Sequence, residues 1–412
     1  MPFLLPSRRH DPGDRGMTSP IVTGQPATAE ADRPYLGYYT AHGISPVRQD
    51  IAHDMASHFR RRRALYHSLG VPPGLLAGKA VIEFGPGSGH NALYTASLSP
   101  GRYTLVDGNP TGIAETQDRL KTRFGDQPAV EIVHSLIESF DTSRRYDLVL
   151  CEGVIPFQRD PAAFTRHIAG FAGPDGIVVV TCIDSISGLG EFSRRLVADR
   201  IVPFARPAAE RMAALLPVFT PHLESLAGRT RPVEDWIHDN ILIPYHGRLF
   251  SIADAIGCLA DGFDLYGSSP RFITDWRWYK TCDDMDPGHN AAGLRSYHSN
   301  VVAFSDYCLA APAHDEETGR LLLHHADRVF NLMVDHETGG RQKALPEAAE
   351  ALQMVASLLR PHATAAADAL DAAAAFVLAP GQHDLDRLAP LIGYFGRGQQ
   401  YLSFIRRSLT SA

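Results

Sequence analysis

Residues 79–97 read KAVIEFGPGSGHNALYTAS. An apolar, β-branched run meets glycines at alternate positions, Gly85, Gly87 and Gly89, and a helix-forming run follows. A strand, a glycine loop and a helix in that order let a bound group lie close to bare backbone. Spacing excludes two common versions of the loop. A dinucleotide fingerprint aligned on Gly85 and Gly87 needs Gly or Ala at position 90, where His90 stands. A phosphate-cradling Walker A loop needs a following Gly-Lys-Ser/Thr, which is missing. The third glycine comes one residue early, and Glu83 precedes the first by two. A pyrophosphate wants helix N-terminal N–H groups. A cofactor with a cationic centre and no phosphate wants a carboxylate and bare backbone, which Glu83 and the three glycines offer. The next strand-like run, RYTLVD, ends in Asp107, where a carboxylate accepts paired ribose hydroxyls.

Outward from this loop, short apolar runs (KAVIEF, RYTLVD, AVEIVH, YDLVLCE, GIVVVTC) alternate with segments long enough for helices. Continuous apolar strands between amphipathic helices predict a doubly wound α/β domain whose sheet is mostly parallel. After Cys182 the alternation stops. Residues 185–262 read as a helical insertion, or lid, over the carboxyl edge of the sheet. Strand-like runs return at FDLYGSS, DWRWYKT and NVVAFSDY, which assigns the core to 79–184 plus 263–308. Residues 311–412 read as a C-terminal helical domain, including the Ala-rich ATAAADALDAAAAFVL. Residues 34–78 read as a loop and helix capping the site, and 1–33 as a disordered N-terminus with Met17 as an alternative start.

The spacing E-x-G-x-G-x-G after a first strand, with an acid ending the second, resembles the class I S-adenosylmethionine-dependent methyltransferases. The resemblance implies a Rossmann-like sheet of seven strands, S-adenosyl-L-methionine as cofactor and methyl transfer as the reaction. It also implies that Glu83, Gly85, Gly87 and Gly89 pass beneath the methionine part of the cofactor, while Asp107, Gly108 and Asn109 hold the ribose side. Ser135, Leu136 and Ile137 fall against the adenine, without the acid usual at the Ser135 position. Glu152 and Gly153 occupy the catalytic-side loop after the fourth strand.

The methyl acceptor is less directly written. The Asp/Asn/Ser-Pro-Pro-Tyr/Phe signature of amino-methylating enzymes is replaced here by CEGVIPF, at residues 151–157. A cytosine C5 mechanism needs a nucleophilic Cys after Pro, but Leu150 precedes Cys151, which reads as a buried, inert thiol. DDMDPGH at 283–289 lacks the spacing of a calcium loop, and no metal is expected. What remains is a small-molecule or saccharide-like acceptor, with O-methylation ahead of N-methylation. Tyr39, His42, Ser45 and Arg48 in the N-terminal loop are candidates for the acceptor side. So are Trp236, Asp239, Tyr245 and His246 in the insertion, and Asp275 and Trp278 beyond it. His42 and His246 are the candidate general bases. The run Arg60–Arg63 reads as a solvated helix face, with an acidic-substrate patch as the alternative. A non-catalytic cofactor-binding scaffold and an NAD(P)-dependent oxidoreductase stay open as competing readings.

Composition sets outer limits. The 412 residues carry a formal charge of −7, which argues against nucleic acid as a partner. Five widely separated cysteines with no close pair read as reduced thiols in a cytoplasmic protein. No apolar run is long enough to cross a membrane. Self-association through the C-terminal helices is the one protein partner expected.

Overall fold

The computed structural model describes residues 22–23, 54–127, 129–243, 245, 248–281, 288–339, 344–379 and 384–408. Its centre is a sheet of β1 (Val22–Thr23), β2 (Ala80–Phe84), β3 (Arg102–Asp107), β4 (Val130–His134), β5 (Tyr146–Cys151), β6 (Ala172–Cys182), β7 (Phe263–Ser269) and β8 (Gln400–Arg406). The order across it is β1-β4-β3-β2-β5-β6-β8-β7. All pairings from β1 to β6 are parallel, and β8 runs antiparallel to both β6 and β7. The sheet is therefore mixed: seven strands of the doubly wound kind plus the two-residue β1 at one edge. Order reverses between β2 and β5, the crevice where open α/β sheets bind ligands.

On one face lie α1 (Met55–Ser68) and α2 (His90–Ser97), followed in the chain by α3 (Pro110–Phe124). Side chains alternate along β2, so Val81 packs on the α1–α2 side while Ile82 and Phe84 join the opposite core. That opposite core continues through α4 (Pro161–Ala169) into the insertion helices α5 (Leu189–Ile201), α6 (Ala208–Glu224), α7 (Val233–Ile237) and α8 (Ile252–Leu259). After β7 come α9 (Gly288–His298), α10 (Glu316–Glu337), α11 (Ala344–Leu359), α12 (Thr364–Leu378) and the short α13 (Ala389–Ile392).

Two expectations change here. DWRWYKT forms no strand; Asp275–Trp278 are irregular, with one 3-10 turn at Tyr279–Thr281. In NVVAFSDY, Val301–Phe304 form a buried 3-10 turn, because a short apolar run suits a buried helical turn as well as a strand. The strand sought there is Gln400–Arg406, inside the segment read as wholly helical. The core is thus completed by residues 263–269 and 400–406 instead of 263–308. The helices of 311–412 are also not a body apart. Buried Ala366, Ala367, Ala369, Ala373 and Ala374 on α12 and Leu196 and Val197 on α5 belong to one apolar core. The alanines present almost no side chain, which suits helices packed closely together.

At the carboxyl end of β6 the polar groups are tied into this core. Fully buried Asp184 accepts the Tyr297 hydroxyl at 2.7 Å and the Ile252 N–H at 3.2 Å, both on Oδ1, while its Oδ2 has no partner among the described residues. Burial first of all lifts its carboxyl to about 7. A carboxyl raised in the folded state stabilises at low pH and loses that contribution as pH rises toward the folded value. Asp184→Asn keeps the accepting oxygen and removes the charge. The variant should flatten the dependence of stability on pH between about 4 and 7. Urea melts of wild type and variant at pH 5 and 8 check this; parallel pH profiles would count against it.

Candidate active site

Gly85, Gly87 and Gly89 all adopt positive φ, at 70°, 56° and 77°, a conformation that side chains with a Cβ resist. Space is as restrictive as backbone angle. A Cβ on Gly85 would lie 2.4 Å from Val154 Cγ2, and one on Gly89 would lie 2.8 Å from Thr116 Cα. Thr116 also donates from its hydroxyl to the Gly87 carbonyl at 3.0 Å, fixing the loop against α3. The alternate glycines thus satisfy a local geometry while leaving the loop bare at the carboxyl edge.

Asp107 ends β3 directly beside this loop. Its Oδ2 accepts the Gly87 N–H at 3.0 Å and its Oδ1 the Asn109 N–H at 2.8 Å. Burial raises the carboxyl to about 6, against the pull of the Asn109, Gly87 and Gly108 N–H groups and of His134. A carboxylate has about four acceptor sites on its two oxygens, so it can still accept from an outside hydroxyl. Asn109 caps α3, its side chain accepting from Thr111 N at 2.9 Å and Gly112 N at 3.3 Å. The Ser135 N–H donates to the Asp107 carbonyl, and the Ser135 hydroxyl to the Leu136 carbonyl. Ile137 is buried, its Cδ1 reaching the space above Gly85. The structure therefore brings the three glycines, Asp107–Asn109, Ser135–Ile137 and Gly153 to one crevice.

Glu83 departs from the sequence reading. It faces the α1–α2 side, is 3% exposed, and accepts the Tyr103 hydroxyl in a short hydrogen bond. Burial lifts its carboxyl to about 7, and the Glu152 charge adds to the rise. A group so enclosed belongs to the packing beneath the loop and offers no open carboxylate to a cationic centre.

Glu152 follows β5 and is held by a bidentate pair from Arg62, 2.7 Å from Nη1 to Oε2 and 2.6 Å from Nη2 to Oε1. Both side chains are 7% exposed. Asn91 Nδ2 adds a donor at 3.3 Å, and Tyr66 below Arg62 bonds Thr95 at 2.7 Å. The pair latches α1 and α2 to the loop after β5. Arg60, Arg61 and Arg63 are exposed as a solvated face should be, but Arg62 points inward. The signal was its spacing with His58 and Tyr66, one helical face that is buried throughout. Gly153, at φ 73°, donates its N–H to Thr181 Oγ1 at 2.8 Å, and Gln399 from the C-terminal segment approaches it.

The acceptor-side candidates divide. Tyr39, His42, Ser45, Arg48 and His246 lie outside the described residues. Trp236 is buried against Phe395, and Asp239 is ion-paired with Arg231. Tyr245 sits among Phe157, Phe192 and Phe330 and over the Arg195 guanidinium. Asp275 pairs with Arg277, whose hydrogen bonds pull the Asp275 carboxyl down to about 2, and Trp278 is exposed beside Tyr279. Burial pushes the Cys151 thiol well above its ordinary range, which suits the inert role read for it. Among the described residues no cluster could hold a metal ion, and no helix is long and apolar enough to cross a membrane.

Residues 52–224 match the family model of a methyltransferase domain. That span, less than half of the chain, contains the glycine loop and Asp107. No curated protein matches the chain in sequence. Among solved structures it is similar to the N-methyltransferase NodS from Bradyrhizobium japonicum WM9, at 16% identity over 38% of this chain and 75% of that one, TM-score 0.29. It is also similar to magnesium protoporphyrin IX methyltransferase from Synechocystis PCC 6803, at 16% identity over 60% and 95%, TM-score 0.36. PKMT2 from Rickettsia typhi aligns at 16% identity over 58% and 49%, TM-score 0.39.

Proposed function

We propose that the protein transfers the methyl group of S-adenosylmethionine to a small-molecule or saccharide-like acceptor, at oxygen in preference to nitrogen. The observation that carries this reading is the cover tied down beside the carboxyl end of β6. Backbone bonds from Ile183 to Phe250 and from Gly398 to Ser187 tie the insertion and the C-terminal segment over the ends of β6 and β8. A site roofed in this way admits a small molecule more readily than a polymer. Bound S-adenosylmethionine would supply an electrophilic methyl group and a built-in leaving group.

In this reading Asp107 accepts the ribose hydroxyls, the glycine loop runs beneath the methionine part, and Ser135, Leu136 and Ile137 face the adenine. Asn91 and Arg62 hold Glu152 so that its carboxylate keeps one orientation toward the cofactor. Positioning of the nucleophile supplies most of the acceleration such a transfer needs. Residues 54–184 with β7 and β8 form the catalytic core, and α5–α8 with α10–α12 form its cover. Self-association would use the outer surface of α10–α11, where Leu321 and Met354 are exposed.

Calorimetric titration tests the cofactor assignment against the competing oxidoreductase reading. S-adenosylmethionine and S-adenosylhomocysteine should bind at micromolar concentration and NADH should not. Tight NADH binding with no response to S-adenosylmethionine would sink the assignment. Cofactor binding without transfer to any acceptor would favour the scaffold.

A further inference from the structure

Glu191 lies in the first turn of α5, on the segment that leaves the carboxyl end of β6. Its Oε2 is sealed from solvent and has no hydrogen-bond partner among the described residues. The nearest cation, Arg194 one turn on, does not pair with it. That guanidinium is spent on the carbonyls of Gly190, Leu391 and Tyr394 and on His222 Nδ1, and it stacks 3.9 Å from the centre of the Phe395 ring. The Tyr394 hydroxyl is equally sealed and equally without a partner. An unpaired carboxylate oxygen and an unpaired phenol in one protein interior cost free energy unless a ligand uses them.

The surroundings describe that ligand. Phe192, next in the chain, meets Tyr245 edge-on at 5.9 Å, and Tyr245 lies 6.4 Å from Phe157 in the loop just after Glu152 and Gly153. The cofactor side is close through the backbone: Gln399 approaches Gly153, Gly398 N–H bonds the Ser187 carbonyl, and Gly190 packs on Gly396. The Glu191 charge acts on the rings of Tyr245 and Tyr394, and a carboxylate oxygen without a donor beside aromatic rings fits a flat molecule bearing a hydroxyl. Resting on the methyltransferase reading above, we propose that Glu191 binds the hydroxyl of an aromatic acceptor and takes its proton during transfer. In that step the acceptor O–H proton passes to the carboxylate as the new O–C bond forms. The cofactor's C–S bond breaks, and its electron pair stays on sulfur.

Burial lifts the Glu191 carboxyl to about 7, opposed by Arg194 and by its own backbone N–H. The charged and titratable groups facing this cluster are Arg194 on α5 itself, His222 on α6, and Tyr394 after α13. Around Tyr245 they are Arg195 on α5 and Glu337 on α10, and beside Tyr394 stands Asp306. Burial holds His222 down at about 3 and Tyr245 up at about 12, which leaves Glu191 to titrate near neutrality.

The probe is 4-fluorophenol, followed by fluorine NMR against the protein saturated with S-adenosylhomocysteine. Wild type should bind it several-fold more tightly at pH 8 than at pH 6, as the carboxylate ionises. Glu191→Gln should bind it with no pH dependence, and Glu191→Ala at least fivefold more weakly at pH 8. Calorimetry should give all three proteins the same affinity for S-adenosylhomocysteine. Absence of 4-fluorophenol binding to wild type, or equal binding and equal pH profiles in wild type and Glu191→Gln, would overturn the proposal while leaving the cofactor assignment intact. Loss of S-adenosylhomocysteine binding by wild type would instead strike the methyltransferase reading itself.

Discussion

Asp107→Ala should weaken binding of S-adenosylmethionine about 100-fold while the protein stays folded. Two hydroxyls donating to an ionised carboxylate gain roughly 1.5 kcal/mol each, and about 1.4 kcal/mol corresponds to tenfold in affinity. The carboxylate also anchors the Gly87 and Asn109 N–H groups, so its removal loosens the loop the cofactor lies on. Asp107→Asn keeps one accepting oxygen and should lose less. A pH signature separates charge from shape. Because burial lifts the Asp107 carboxyl to about 6, wild-type affinity should fall as pH drops through that value, and Asp107→Asn should lack this component. Calorimetric titration of S-adenosylhomocysteine at pH 5.5 and 8 reads both effects. An unchanged dissociation constant in Asp107→Ala would remove Asp107 from the site.

The second large effect is on stability. Arg62→Ala strips a buried carboxylate of its bidentate partner and leaves Glu152 in a space closed to water. Removing one member of a buried pair costs on the order of 3–5 kcal/mol, whereas an exposed pair is worth about 1 kcal/mol or less. The double variant Arg62→Met with Glu152→Leu should recover most of the loss, since two apolar side chains of similar volume need no partner. Denaturant melts of the two single variants and the double variant measure the coupling directly. A cost for Arg62→Ala below about 1 kcal/mol would show that α1 is not latched through this pair, and that Glu152 finds water when Arg62 is gone.

What could be read from the amino acids alone follows how local each signal is. The glycine loop, Asp107 and strands β2 to β6 are spelled by neighbours in the chain: an apolar run, a turn, an amphipathic helix. Gln400–Arg406 was hidden for the opposite reason. It is seven residues long, follows the four helices α10–α13, and buries Leu402 and Phe404 only because β6 and β7 happen to flank it. Arg62 was masked by its company, since the run Arg60–Arg63 reads as one solvated block although its third member faces inward. Glu83 shows the limit of motif logic. Its position matched the expected acid, but strand alternation turns it toward Tyr103 and away from the crevice. Glu191 gave no signal in the chain, because an acid in the first turn of a helix is ordinary. Arg194 is engaged by carbonyls and His222, and the Glu191 Oε2 has no partner among the described residues.

The antiparallel strand β8 also sets an order of events during synthesis. Strand β6 emerges long before its partner, and until residues 400–406 have been made its outer edge is open backbone, as is that of β7. An unpaired edge of that kind recruits other chains, and native proteins cover it early or charge it. Here the cover arrives last, after α5–α8 between the two flanking strands and α9–α13 beyond β7 have been made. A version of the chain stopped before Gln400 would leave two naked edges in place of one filled slot. The family-matched span of residues 52–224 lacks both β7 and β8, so it cannot be excised as a working unit. The crevice is ready for its cofactor only when the far end of the chain has come home to the middle of the sheet.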